Sequence, residues 1–258
     1  MKINDIEKAQ GHWLLAKMGK RVLRPGGREL TEKLVEKLQI NTEDDVLEFA
    51  PGLGFTANLA LKQNPKSYLG VDASLDAIHH LQQKFRQENV AFLEGNAEEV
   101  AIESNSISKL YGEAMLTMHA DHRKEKIMKE AHRLLKPGGL YAIHEIGLVP
   151  DDMSEELKAT IQKDLAKAIR VNARPLTLSE WAQMLDEAGF DVIDKEVNGM
   201  FLLKPKRILQ DEGFFRTLKI GWNIMKSSAA QKRIRGMYQV FSKYEEYMNS
   251  VLFIARKR

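Results

Sequence analysis

VLEFAPGLGFTA, residues 46–57, fits two glycine-loop fingerprints at once. Gly52, Gly54 and Ala57 match the G-x-G-x-x-G/A turn of dinucleotide-binding folds, where amides at a helix start approach a pyrophosphate with no Cβ in the way. Glu48, just ahead of Ala50-Pro51-Gly52-Leu53-Gly54, argues for a different ligand. A carboxylate at the end of a strand repels phosphate and suits a cation. A strand-to-helix turn that binds nothing can carry the same glycines, so the flanking sequence has to decide.

Working outward, short β-rich runs at 45–49, 67–72, 90–94, 107–111 and 140–146 alternate with helical patterns at 56–62, 75–87 and 123–135. This predicts an α/β fold with a doubly wound, mostly parallel sheet. Lys136-Pro137-Gly138-Gly139 stops the last of these helices. Helices are expected at 6–23 and 29–38, separated by Arg24-Pro25-Gly26-Gly27, and again at 154–171 and 179–188. A strand near 191–197, a long helical insertion over 206–248 and a final strand at 251–255 complete the pattern.

A chain of 258 residues is about as large as one hydrophobic core grows. The organisation expected is therefore one domain over 1–258: an N-terminal helical segment (1–40), a cofactor-binding core (41–203) with a lid at about 150–175, a helical cap (204–248) and a last strand (249–258). No run approaches the roughly 18 apolar residues of a membrane span, and MKINDIEKAQ lacks the basic start and apolar run of a secretory leader, so a cytoplasmic location is expected. The absence of cysteine excludes disulfides, thiol nucleophiles and thiolate metal sites. Charge is uneven: residues 204–258 carry a local +9 and residues 1–203 carry −6.

Asp72, in Leu69-Gly70-Val71-Asp72-Ala73-Ser74, follows Gly52 by 20 positions, where a carboxylate reaches the ribose of a nucleoside cofactor. Gly95-Asn96-Ala97-Glu98-Glu99 follows the third strand, and Arg133-Leu134-Leu135-Lys136-Pro137-Gly138-Gly139 precedes the fifth. In this order these stretches resemble the class I S-adenosylmethionine-dependent methyltransferases. Residues of about 40–147 are most similar to a small-molecule branch that includes quinone-biosynthesis methyltransferases. The resemblance implies a seven-stranded sheet and S-adenosylmethionine as cofactor, leaving S-adenosylhomocysteine. It implies cofactor contacts from Glu48, Ala50, Pro51, Gly52, Gly54, Asp72, Ala73, Asn96, Ala97 and Glu113. Ala50 stands where the family usually has glycine. Asn96 replaces the commoner aspartate, and its amide oxygen can still accept from the adenine amino group.

Methyl transfer from a sulfonium is an in-line displacement that needs alignment, exclusion of water and, for some acceptors, a base. His119 and His144, at the carboxyl ends of neighbouring strands, are the candidates for that base. Metal is not expected: His79-His80 and His119-Ala120-Asp121-His122 lack a third ligand. A small, apolar or aromatic acceptor is expected in a pocket built by the N-terminal helix with Trp13, the 153–175 segment and the insertion. The insertion mixes Phe214, Phe215, Leu218, Ile220, Trp222, Ile224 and Met225 with Lys206, Arg207, Arg216, Lys219 and Lys226. It reads first as a pocket cap, next as a basic face on an anionic membrane, and then as a homodimer contact or solvated face. No nucleic-acid partner is expected, because Tyr111-Gly112-Glu113-Ala114 replaces the Asn/Asp-Pro-Pro-Tyr tetrad of base-amino methyltransferases. The alternatives are an NAD(P)-dependent oxidoreductase and a non-catalytic S-adenosylmethionine-binding protein.

Overall fold

Alternation along β1 (Asp45–Phe49) sets the layers of the molecule. Leu47 and Phe49 enter one core cluster and Val46 enters another on the opposite face, as a strand buried on both sides requires. The computed structural model describes residues 6–258; residues 1–5, the start of the stretch read for a leader, lie outside the described residues. The other strands are β2 (Ser67–Asp72), β3 (Val90–Glu94), β4 (Ile107–Glu113), β5 (Leu135–Leu148), β6 (Leu176–Thr177), β7 (Phe190–Gly199) and β8 (Met248–Lys257). They are arranged in the order β3-β2-β1-β4-β5-β8-β7. β1 to β5 pair in parallel, and β8 runs antiparallel between β5 and β7. Seven strands were expected; the eighth, β6, pairs two residues with Gly147 and Leu148 and is too short for any periodicity to reveal.

The helices are α1 (Gly11–Met18), α2 (Gly27–Leu38), α3 (Phe55–Ala60), α4 (Leu75–Lys84), α5 (Asp121–Leu134), α6 (Glu155–Ile169), α7 (Leu178–Glu187), α8 (Pro205–Glu212), α9 (Phe214–Met225) and α10 (Ser228–Lys243). Several start where the sequence supplies a cap. Ser74, Ser154 and Ser227 each accept from the amide three residues on, and Thr177 with Glu180 forms a reciprocal capping box. α2, α3 and α4 cover one face of the sheet through residues such as Leu30, Ala57 and Leu81. α5 and α7 cover the other through Ile127, Leu134, Trp181 and Leu185. A third cluster, of Leu14 and Leu15 (α1), Ile161 and Leu165 (α6) and Met237 and Phe241 (α10), closes over Ile146 and Leu148 at the carboxyl end of β5.

Two expectations need correction. The helix expected over 6–23 spans only Gly11–Met18, because Gly19 turns left-handed (φ 106°) and residues 20–26 continue as an irregular strap. Lys136-Pro137-Gly138-Gly139 does end the preceding helix, but it forms the bulged start of β5: the register jumps from Ile107 opposite Leu135 to Lys109 opposite Leu140. The helical insertion expected over 206–248 consists of three helices, separated at Gly213 and at the Ser227 cap.

Candidate active site

The first loop is held by its neighbours. Gly52 N donates to Asp72 Oδ2 at 3.0 Å and Ser74 N donates to Asp72 Oδ1 at 2.9 Å, so one carboxylate spans the ends of β1 and β2. Burial pushes the Asp72 carboxyl up, and these two amides oppose the shift. A Cβ on Gly52 would meet nothing nearer than Ala50 O at 3.9 Å, so the loop leaves room for a ligand there. A Cβ on Gly54 would strike Leu81 Cδ2 at 2.5 Å, so this glycine serves helix packing. Ala50 sits at φ 53°, a conformation that costs a non-glycine residue about 1 kcal/mol or more. Ala50→Gly is therefore expected to raise the unfolding free energy by about 0.5–1 kcal/mol, because the relieved strain exceeds the extra chain entropy. Urea denaturation of both proteins checks this.

Ala50, Pro51, Gly52, Asp72 and Glu113 line one cavity of about 140 Å³, covered by His12 and Trp13 of α1 and by Arg21, Leu23 and Arg24 of the strap. The strap is tied down from α8. Glu212 Oε1 accepts from Arg21 N at 2.6 Å and Val22 N at 2.9 Å, and Arg207 Nη2 donates to Gly26 O at 2.6 Å.

Glu113 ends β4 and is the hub of the site. Its carboxylate accepts from Arg24 Nη1 at 2.6 Å, Thr31 Oγ1 at 2.7 Å and Thr56 Oγ1, and pairs with His144 Nδ1 at 2.7 Å. Burial pushes the group up, but Arg24 and His144 outweigh it and hold its pKa near about 2. Glu48 behaves in the opposite way. Burial, reinforced by Glu113, pushes its pKa up to about 7 despite hydroxyl donors from Tyr68 and Tyr111 (3.0 Å). It is buried against Tyr68 and Tyr111, apart from the residues that line the cavity.

The remaining sequence candidates fall in different places. His144 is fully buried, with Nδ1 on Glu113 and Nε2 unpartnered. His119 follows a short turn at Leu116–Met118, half-buried and outside the cavity lining. Ala73 and Asn96 are exposed and Ala97 half-buried at the neighbouring strand ends; Gly95 N donates to Asp72 O at 3.0 Å, which brings that turn against Asp72. Among the described residues no three His, Asp or Glu side chains are grouped to hold a metal ion. Glu145, next to His144, accepts from the amides of Met115, Leu116 and Thr117 at 2.8–3.0 Å and so shapes the loop carrying Ala114 and Met118.

A second, apolar cavity of about 60 Å³ adjoins the first and shares His12, Leu23, Ala114 and Met118 with it. Its walls come from α1 (Leu15), α6 (Ile169), α10 (Met237, Phe241) and the segment after β7 (Met200, Leu202). Of the insertion, α10 contributes to this lining, whereas Phe214, Phe215, Leu218, Trp222 and Met225 of α9 point outward, 57–86% exposed. His12 and Thr117 are the polar side chains in this lining, and Thr117 is already bonded to Glu145 at 2.7 Å. Burial lowers the His12 pKa to about 4, so its imidazole is neutral at physiological pH. No motif in the sequence singles out His12, and Arg24 sits in a turn that reads only as a helix separator.

Comparison with known proteins agrees with this geometry. A family model described as a methyltransferase domain matches residues 46–139. An uncharacterized protein of Haemophilus influenzae is 34% identical over 251 residues, covering 96% of this chain and 98% of its own. Erythromycin 3''-O-methyltransferase of Saccharopolyspora erythraea is 28% identical, covering 81% of this chain and 71% of its own. The structure of Haemonchus contortus phosphoethanolamine N-methyltransferase 2 in complex with S-adenosyl-L-methionine superposes with a TM-score of 0.71 at 21% identity, covering 96% of this chain and 56% of that one.

Proposed function

Because the chain belongs to the class I S-adenosylmethionine-dependent methyltransferases, we propose that it methylates a small apolar molecule seated in the cavity beneath α1, α6 and α10. The observation that carries this reading is the wall common to the two cavities: the loop cavity of Asp72 and Gly52 shares His12, Leu23, Ala114 and Met118 with an apolar one. The alternatives of a nicotinamide dinucleotide site and of a non-catalytic binding protein gain no support from the matched proteins.

The residues present fit the cofactor. Asp72 offers a carboxylate to the ribose, Gly52 leaves the approach free of a Cβ, and the Asn96–Ala97 turn lies beside Asp72 for the adenine. Bound there, the cofactor supplies an electrophilic methyl group on a sulfonium. Apolar walls exclude water from the reacting atoms, and the neutral His12 imidazole accepts a hydrogen bond from a hydroxyl or similar donor on the acceptor. His144 acts at one remove: its hydrogen bond to Glu113 holds the cavity wall.

The test is release of S-adenosylhomocysteine across a panel of small lipophilic phenols and quinols against charged, water-soluble acceptors, with products identified by mass spectrometry. Turnover is expected with the apolar set. His12→Phe is expected to lower kcat/KM by on the order of 10²-fold or more while S-adenosylmethionine affinity changes much less. Efficient turnover of charged acceptors alone would overturn the apolar assignment. Unchanged kcat/KM in His12→Phe would remove His12 from the chemistry.

A further inference from the structure

α9 has two apolar sides, and only one of them is used. Ile220 is buried, Asn223 Nδ2 donates to Met18 O at 2.9 Å and Arg216 Nη1 donates to Gly19 O at 3.3 Å, which fixes the inner side against α1. At 3.6 residues per turn, Phe214, Phe215, Leu218, Trp222 and Met225 fall within about 100° of the circumference on the outer side. Phe215 is 86% exposed and the other four 57–64%. Scattered exposed apolar residues are ordinary on a soluble protein, but five large ones gathered on one helix face mark an interaction surface.

The charges around this face identify its partner. α9 contains no acidic residue, exposed Lys219 and Lys226 lie along one edge of the apolar arc, and residues 204–258 carry +9 against −6 for the rest of the chain. A second copy docked through the same patch would bring this basic rim against itself, since a two-fold interface pairs a surface with its own image. An apolar helix face with aromatic residues and lysines along one edge is matched instead by a bilayer surface with negative headgroups.

We propose that α9 docks the enzyme on an anionic lipid surface, with Phe214, Phe215, Leu218, Trp222 and Met225 entering the headgroup boundary and Lys219 and Lys226 meeting the headgroups. The inner side of α9 grips α1, which carries His12 and Leu15 of the apolar cavity, so docking brings the acceptor site beside the membrane. The docking surface stands apart from the identity of the methyl acceptor.

Sedimentation of the full chain with vesicles of phosphatidylcholine, alone and mixed with phosphatidylglycerol, tests the proposal. Binding is expected on the mixed vesicles and much less on the neutral ones, and it should weaken as salt rises. The double substitution Lys219→Glu, Lys226→Glu is expected to reduce binding to the mixed vesicles by on the order of tenfold or more. Phe215→Ser with Trp222→Ser is expected to abolish it, with circular dichroism and S-adenosylmethionine affinity unchanged in both variants. Absence of wild-type binding, equal binding to both vesicle types, or wild-type binding by either variant would overturn the proposal. A dimer that Phe215→Ser dissolves, with no vesicle binding, would assign the face to a second copy.

Discussion

Asp72→Ala is expected to weaken S-adenosylmethionine binding by on the order of 10²-fold or more, the largest single loss at the cofactor loop. Each carboxylate oxygen already accepts one backbone amide, Gly52 N on Oδ2 and Ser74 N on Oδ1, and each keeps a lone pair free for a ribose hydroxyl. Hydrogen bonds to a charged acceptor contribute roughly 1.5–3 kcal/mol each, so losing a bidentate ribose contact costs about 3 kcal/mol or more, which is the fold-change stated. Alanine also releases the amides that fix the turn. Asp72→Asn separates the two effects, because it keeps one acceptor oxygen and the shape of the residue. The asparagine protein loses one of the two amide contacts and keeps the other, so it is expected to be less destabilised than the alanine protein yet to bind the cofactor at least tenfold more weakly than wild type. Calorimetric titration of both variants measures this, and an affinity within a few-fold of wild type in Asp72→Ala would show that the ribose lies elsewhere.

Much of the arrangement around Asp72 is legible in the sequence because it rests on local rules. A strand ending in glycines, a second strand ending in an acid 20 positions later and a proline-glycine stop each follow from backbone geometry over a few residues. What the sequence hides depends on registration between distant segments. Glu113 meets His144 because β4 and β5 pair with those residues opposite each other, and Arg24 arrives from a strap that only the fold brings over the sheet. The charge that favours a cationic ligand is not on Glu48 alone. Glu48 is buried against two tyrosines and close to half-neutral near pH 7, while the fully ionised carboxylate at the cavity is Glu113, already paired with Arg24. α9 shows a different limit. Helical periodicity reveals an apolar stripe but not its direction, and in α9 the stripe with Ile220 turns inward while the one with the aromatic residues turns out.

Glu113→Ala is expected to destabilise the protein by about 3–5 kcal/mol, because it strands Arg24 and His144 in a buried site without their counter-charge or acceptor. For a chain of this size that lowers Tm by on the order of 10 °C. It also frees the strap from the cofactor loop, since Arg24, Thr31 and Thr56 all converge on this carboxylate, so cofactor affinity should fall with stability. The pH dependence distinguishes the ion pair from simple packing. The Glu113 pKa is depressed from 4.5 to about 2, so its contribution of about 3 kcal/mol is complete above pH 4.5 and is lost as the pH falls toward 2. Glu48 has the opposite sign: with its pKa raised from 4.5 to about 7, the folded state binds the extra proton, and that stability is lost as the pH rises from 4.5 through 7. Together these two groups give the wild type a stability maximum near pH 5, with a fall on either side. Glu113→Gln, which keeps the shape without the charge, is expected to lose the acid limb and to keep the alkaline one in reduced form, since burial of Glu48 remains but the Glu113 charge does not, in urea denaturation across that range. An acid limb unchanged in Glu113→Gln would show that other carboxylates carry it and that Glu113 is not the charged centre of the site.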